Sequence, residues 1–333
     1  MPSKALPHFQ LPAQSHVTTR VPDFMALMKP RVMLLAVFTA LVGLMIAPGD
    51  LDPIHESLAI IAIAAGAGAA GVLNMWYDAD IDAVMARTAM RPIPRGTVSH
   101  TEALSFGLVL AGSAVAVLAL ALNGKAAALL AFTIFFYVVV YTAWLKRQTP
   151  QNIVIGGAAG ALPPVIGWVA ATGDIGLEPI ILFLIIFLWT PPHFWALSLN
   201  RTNEYARAGV PMLPVVAGRA ATTRQILIYS VLLVPISVLP WFLGFAGAIY
   251  GATAVVGGAI LVALALQLSR SSEADRRAPH RLFTFSIFYL FVLFAALLAG
   301  NGNNRWSSAH LAHAASTTAG PVQAESSAHR DEH

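Results

Sequence analysis

The sequence predicts an all-α polytopic membrane protein of about nine transmembrane helices. Three observations carry that expectation. Hydrophobic residues make up 57% of the 333-residue chain and charged residues only 11%, against about 25% charged in a soluble domain. Apolar runs of roughly 20 residues, the length that crosses a bilayer, recur along most of the chain. The basic residues collect in every second loop between those runs.

Taken in order, residues 1–23 are polar and proline-dotted and lack the apolar stretch of a cleaved signal. The first apolar run, Val32 to Ala47, therefore reads as the first span. Nine segments follow from hydropathy, at about 32–48, 57–77, 101–122, 125–145, 152–172, 178–199, 225–245, 247–268 and 282–299. Stretches such as Ala62–Gly71 and Gly156–Ala161 are rich in Gly and Ala, which lets membrane helices approach closely. Helix packing is the expected role of most of those glycines. The domain division is a tail over 1–27, a transmembrane domain over 28–300 and a second tail over 301–333, both tails being too polar to bury a core. Four tail histidines, His310, His313, His329 and His333, read as solvated residues rather than a metal site. The absence of cysteine excludes disulfides, thiolate metal sites and cysteine nucleophiles.

Seventeen of the twenty Lys and Arg fall in one set of loops; only Lys125, Arg305 and Arg330 fall in the other. The positive-inside rule places the first set in the cytoplasm, with the N-terminus inside and, for an odd number of spans, the C-terminus outside.

The most informative motif ends the second apolar segment: Asn74-Met-Trp-Tyr-Asp78-Ala-Asp-Ile-Asp82. A four-residue step turns a helix by only about 40° beyond a full turn, so Asn74, Asp78 and Asp82 share one face. Paired carboxylates at a membrane boundary need a partner, and a hard divalent cation carrying a phosphate or diphosphate is the expected one. Asp80 points away and reads as a solvated residue or as one that supports the site from outside it. Arg87, Arg91 and Arg95 follow, with Pro92 and Pro94 expected to hold the segment extended. Positive-inside bias explains why bases stand there. It does not explain acids and bases packed at one depth, so Arg87 and Arg91 are candidate diphosphate contacts and Arg95 is open between the two roles. Lys146 and Asn152 belong to a polar connection on the same side. Lys146 suits a phosphate contact or snorkelling to headgroups equally. A second polar loop holds His193, Phe194 and Trp195, then Asn200, Arg201, Asn203 and Glu204. A histidine inside a span is more often functional than one in a soluble core. A transporter would also carry intramembrane charge, but at mid-depth on several helices rather than at one membrane face.

These pieces resemble a known family. An N-x3-D-x3-D motif after an apolar helix, nine spans and a second polar loop between the sixth and seventh are similar to the UbiA-type intramembrane prenyltransferase superfamily. Lys29-Pro-Arg31, Arg87-Thr with Arg91-Pro-Ile-Pro, Tyr141-Thr-Ala-Trp-Leu-Lys146-Arg with Asn152, Gly156–Trp168, Trp189-Thr-Pro-Pro-His193-Phe-Trp-Ala-Leu and Glu204-Tyr with Gly209-Val-Pro-Met-Leu-Pro resemble its heme-farnesylating branch. The resemblance spans roughly residues 24–300. It implies a helical bundle around a central cavity with cytoplasmic cap loops, in a bacterial inner membrane. It implies farnesyl transfer from farnesyl diphosphate to a vinyl carbon of heme B with addition of water, giving heme O. It also implies Mg²⁺ as cofactor, and a heme A synthase as downstream partner; no nucleic-acid partner is expected.

On that reading Asp78, Asp82, Arg87, Arg91, Lys146 and His193 form the catalytic set, and Asn74, Asp78 and Asp82 the metal ligands. Asn74, Arg95, Asn152, Trp195, Asn200, Arg201, Asn203 and Glu204 are expected around the substrates. His193 remains open between an iron ligand, a water-orienting residue and a diphosphate contact. The chain departs from other branches of the superfamily in the second loop, where a second D-x3-D motif is replaced by Asn200, Arg201, Asn203 and Glu204. The same chemistry on a quinone precursor or a chlorin is the nearest alternative. A non-catalytic heme-binding protein would account for His193 but not for the acid face.

Overall fold

The computed structural model describes residues 20–318, and every regular element among them is helical. The tails at 1–19 and 319–333, including His329 and His333, lie outside the described residues. A bent pair opens the fold: α1 (Val21–Leu27) and α2 (Pro30–Ile46) meet at 57°. The bend falls at Lys29, whose φ of 55° is the one left-handed non-glycine conformation among the described residues. Pro30 then starts α2, where a missing N–H leaves no helical bond unmade.

α3 (Pro53–Tyr77) is capped by Asp52, which accepts from the N–H groups of Ile54 and His55. It passes through Asp78 into the short α4 (Ala79–Val84). α5 (His100–Ala121) begins with a reciprocal Ser99–Glu102 capping box. α6 (Gly124–Phe135) changes pitch into a π-helix, Phe136–Leu145, and closes as α7 (Lys146–Gln148). α8 (Asn152–Ala161) and α9 (Pro163–Thr172) form one span. α10 (Leu177–Leu199) carries Pro191 and Pro192 in its interior. Two short helices, α11 (Thr202–Arg207) and α12 (Leu213–Val216), precede α13 (Gly218–Phe242), α14 (Ala248–Arg270) and α15 (Arg277–Thr318).

Among the described residues, eight helical segments are long and apolar enough to cross a bilayer, and the bent α1–α2 pair, taken as one span, brings the count to nine. The boundaries move where helix and hydropathy part company. α13 starts at Gly218 rather than near 225, because Arg219 and Arg224 lower the hydropathy without breaking the helix. α15 continues as helix to Thr318, past the expected end near 299. Residues 86–96 are not extended as the prolines suggested. They form a string of turns, with Arg95 N–H donating to Arg91 C=O at 3.0 Å and Thr97 N–H to Pro92 C=O at 3.0 Å. Proline at the second position of a turn fits that geometry as well as it fits an extended strand.

α3 packs chiefly on α5, α2 on α9, and α10 on α8, α13 and α15. Large apolar side chains point outward, Leu120 at 89% and Phe242 at 80% exposure among them, as a lipid-facing surface requires. This is an integral membrane protein.

The α2–α9 crossing depends on two glycines. A Cβ on Gly43 would stand 2.2 Å from the carbonyl oxygen of Pro164, and one on Gly167 would stand 2.1 Å from that of Ala40. Backbone cannot step aside as a side chain does, so Gly167→Ala must spread the two helices. The expected loss is about 1–3 kcal/mol, read as a lower thermal midpoint in detergent. Gly160→Ala, with nothing within 4 Å, is the control that leaves the midpoint unchanged.

Candidate functional site

The acid motif sits where α3 runs into α4. Asp78 N–H donates to Asn74 C=O at 2.9 Å and Asp82 N–H to Asp78 C=O at 2.8 Å, so the four-residue register continues through the junction. The three side chains form one face, and all are buried: Asn74 is 5% exposed, Asp78 1% and Asp82 3%. Two carboxylates at that depth require cationic partners.

The partners come from three other parts of the chain. Lys146, delivered by the end of the π-helix, donates to Asp78 Oδ2. Asn74 Nδ2 donates to the same oxygen at 2.9 Å and to Thr142 Oγ1 at 2.9 Å. Asn74 Oδ1 accepts from Lys29, the residue at the α1–α2 bend. Arg91 donates to Asp82 Oδ2 at 2.6 Å. Arg147 lies 3.7 Å from Asp78 Oδ1 and grips Asp80 through two hydrogen bonds of 2.8 Å. Its guanidinium also rides over the Tyr77 ring, 4.9 Å from the centroid. The double hydrogen bond from Arg147 holds the Asp80 carboxyl down at about 2, against the opposing effect of partial burial. Asp80 is thus an anchor for Arg147 at the edge of the cluster, and its side chain stays largely exposed.

The π-helix has a visible local consequence. Thr142 Oγ1 donates to the carbonyl of Tyr137, five residues back, at 2.8 Å. Its oxygen is thereby left to accept from Asn74. π-Helical turns concentrate at functional sites because they shift side chains out of the ordinary helical register. Here the shifted segment carries Thr142 and leads directly into Lys146.

Of the sequence-predicted residues, the structure joins Asn74, Asp78, Asp82, Arg91 and Lys146 in one cluster. Arg87 stands apart from the carboxylates of that cluster. It donates to the Tyr205 hydroxyl at 3.3 Å and lies 3.8 Å from Glu204 Oε2, linking the first cap loop to the second. Glu204 also pairs with Arg201 at 3.4 Å. Asn200, Arg201, Asn203 and Glu204 line a polar cleft of about 510 Å³ together with Arg207 and Arg219.

The remaining expected residues lie elsewhere. Arg95 is drawn outward to Asp23, at 2.8 Å, instead of toward the acid face. Asn152 is fully buried and donates to the Thr149 carbonyl at 2.6 Å, with its own Oδ1 unpaired. Trp195 is a core residue, 1% exposed and edge-on to Tyr229, because it lies on the side of α10 that faces α13. His193 is held between α10 and α15 by Ser286.

Lys29, Thr142, Arg147 and Ser286 are the residues that sequence reading missed. Lys29 and Arg147 stood in segments already singled out. The left-handed backbone that aims Lys29 at Asn74 has no signature in residue type. Thr142 and Ser286 are ordinary polar residues in apolar helices until their neighbours are known.

As a metal centre the cluster is lean. No group of three His, Cys, Asp or Glu side chains is gathered among the described residues. Asn74, expected as a third ligand, uses its Oδ1 on Lys29. What remains is two carboxylates, with Asp78 Oδ1 buried and free of any hydrogen bond.

Comparison with known proteins gives this arrangement its context. The chain is 59% identical over 290 residues to a protein from Methylobacterium radiotolerans named protoheme IX farnesyltransferase, covering 86% of this chain and 92% of that one. A protein of the same name from Afipia carboxidovorans is 62% identical over 279 residues, covering 83% and 89%. Among solved structures, a UbiA homologue from Archaeoglobus fulgidus bound to GPP and Mg²⁺ superposes with a TM-score of 0.60 at 17% identity, covering 83% of this chain and 99% of that one. A likeness at that identity concerns the fold alone. The family model described as the UbiA prenyltransferase family matches residues 36–292, which hold the acid face, both cap loops and all but the ends of the bundle. With that match spanning most of the chain and relatives near 60% identity, the chain belongs to the UbiA prenyltransferase family.

Proposed function

We propose that this protein transfers the farnesyl group of farnesyl diphosphate to a vinyl group of heme B, with addition of water, giving heme O and diphosphate. The observation that carries the reading is the buried Asn74–Asp78–Asp82 face, matched by Lys29, Arg91, Lys146 and Arg147. A leaving-group site of this kind stands at one membrane face, with an apolar bundle beside it. The name shared by the relatives supports heme as acceptor.

Asp78 and Asp82 fit Mg²⁺. They are hard oxygen donors, Asp78 Oδ1 is unspent, and Mg²⁺ characteristically takes one or two carboxylates and completes its shell with water and phosphate oxygens. Bound there, Mg²⁺ would supply neutralising charge to the leaving diphosphate. A protein of the same fold has been solved with GPP and Mg²⁺, which agrees with Mg²⁺ as the ion.

The chain's own residues do the rest. Arg91 and Lys146 already stand at the carboxylates, Lys29 at Asn74 beside them, and they turn to the diphosphate as it arrives. They stabilise the charge that grows as the bond between farnesyl C1 and oxygen breaks. C1 then bonds to the terminal vinyl carbon. The electron-poor carbon left next to the porphyrin takes the oxygen of a water, and that water loses its second proton to solvent. Arg87, tied to Glu204 and Tyr205, closes one cap loop onto the other and limits water near the allylic cation. The basic residues in the loops around this site support a position on the cytoplasmic side of a bacterial inner membrane, within a transferase domain proposed over about residues 28–300.

Arg91→Lys tests the fork geometry. It keeps the charge but loses the planar pair of donors, so kcat/KM for farnesyl diphosphate should fall about 10²-fold in steady-state assays at saturating heme. An acceptor panel tests the function itself. Membranes given farnesyl diphosphate and Mg²⁺ should release diphosphate with heme B and not with an aromatic acid or a chlorin. Release with a quinone precursor alone would move the protein to another branch of its family.

A further inference from the structure

His193 lies outside the acid cluster, yet its surroundings are built with care. Trp189, one turn earlier on α10, stacks on one face of the imidazole at 4.3 Å and 17°. Phe283 of α15 also stacks against it, at 4.6 Å and 24°. Nδ1 is 2.8 Å from Ser286 Oγ. The backbone of the same serine is pinned as well, since Trp189 Nε1 donates to Ser286 C=O at 2.7 Å. Ser286 is fully buried.

The direction of the His193–Ser286 hydrogen bond follows from proton count. Ser286 Oγ has a single proton, and it donates that proton to the carbonyl of Phe283 at 2.7 Å. Toward His193 the serine oxygen therefore acts as acceptor, and Nδ1 must carry the imidazole proton. A neutral imidazole with Nδ1–H has its lone pair on Nε2. That atom has no protein partner, and it is not among the buried polar atoms left unpaired, so it lies on the part of His193 that keeps 8% exposure. Stacked rings cover the faces and leave the in-plane direction, along which imidazole binds a metal, unspent.

We propose that Ser286 is a positioning residue that fixes His193 in the Nδ1–H tautomer, so that Nε2 ligates the iron of the porphyrin acceptor. The inference rests on the proposed heme acceptor and goes beyond it. An outer hydrogen bond that orients a ligating histidine is the ordinary companion of metal–imidazole bonding, and its removal typically weakens metal affinity about 10- to 100-fold.

The test is titration of purified full-length protein with ferric heme B, followed by absorption and electron paramagnetic resonance, with metal-free protoporphyrin IX as the control. Ser286→Ala should weaken heme binding at least about tenfold and change the iron spectrum. Ser286→Thr, which keeps the hydroxyl, should restore both. Metal-free porphyrin should bind wild type and Ser286→Ala alike, because packing is retained and no iron is present. His193→Ala should abolish the ligated spectrum. If Ser286→Ala weakens both porphyrins equally, the serine is merely structural and the inference fails. It fails too if His193→Ala leaves the heme spectrum unchanged, while heme O formation by the wild type would still uphold the acceptor. If wild type binds no heme and prenylates another acceptor, both readings fall together.

Discussion

Replacing Asp78 by Asn lowers the rate of prenyl transfer by at least about 10³-fold, the scale expected when a preorganised charge-stabilising group is removed from a leaving-group site. The side chain is nearly isosteric, so shape is kept and only the charge is lost. Asp78 is the hub of the cluster. Lys146 and Asn74 share its Oδ2, Arg147 approaches its Oδ1, and that second oxygen is the one left for a metal. Loss of the charge also leaves Lys146, only 16% exposed, without its counter-ion. Breaking a buried pair by removing one partner is destabilising by roughly 3–5 kcal/mol, so a single variant mixes folding with catalysis. The double variant Asp78→Asn with Lys146→Gln separates them. It removes both charges, so its thermal midpoint should recover toward wild type while its activity stays at the level of Asp78→Asn. Recovery of activity along with stability would show that Asp78 serves the fold and not the reaction.

Chelation of divalent metal should have an effect of the same size. Membranes treated with EDTA are expected to lose at least about 10³-fold of their transfer rate, and added Mg²⁺ to restore it. The reason is the charge balance. Lys29, Arg91, Lys146 and Arg147 face Asp78, Asp80 and Asp82, and several of these bases are already committed to carboxylates. What they can lend to a diphosphate is limited, and a divalent ion must supply the remainder. Heme binding should be insensitive to EDTA, because the proposed iron ligand His193 shares no contact with that cluster. Undiminished activity in EDTA, with metal content verified, would mean that the basic residues alone carry the leaving group.

The parts of this molecule that were legible in the sequence are those governed by local periodicity. Hydropathy marks the spans, and the four-residue spacing of Asn74, Asp78 and Asp82 survives into the structure because it needs only one continuous helix. Charge placed at one membrane depth also drew attention to Arg91 and Lys146. What was not legible depends on tertiary packing or on backbone states without a residue signature. Lys29 reaches Asn74 across 45 residues from a left-handed bend. Thr142 is aimed by a π-helix, which apolar periodicity does not distinguish from an α-helix. The meaning of His193 depends on a serine 93 residues away. Arg95 and Trp195 show the converse: motif proximity suggested a substrate role, while the structure pairs the first with an acid in α1 and sets the second edge-on to Tyr229 of α13, with its Nε1 unpaired.

The measurement that bears most directly on the central claim is the mass of the porphyrin recovered after incubating wild-type membranes with heme B, farnesyl diphosphate and Mg²⁺ in ¹⁸O-labelled water. A product heavier than heme by one farnesyl group and one ¹⁸O-labelled hydroxyl, absent from the Asp78→Asn, Lys146→Gln double variant, is the predicted result. Unchanged heme from wild-type protein shown to be folded and to bind both substrates would contradict the account.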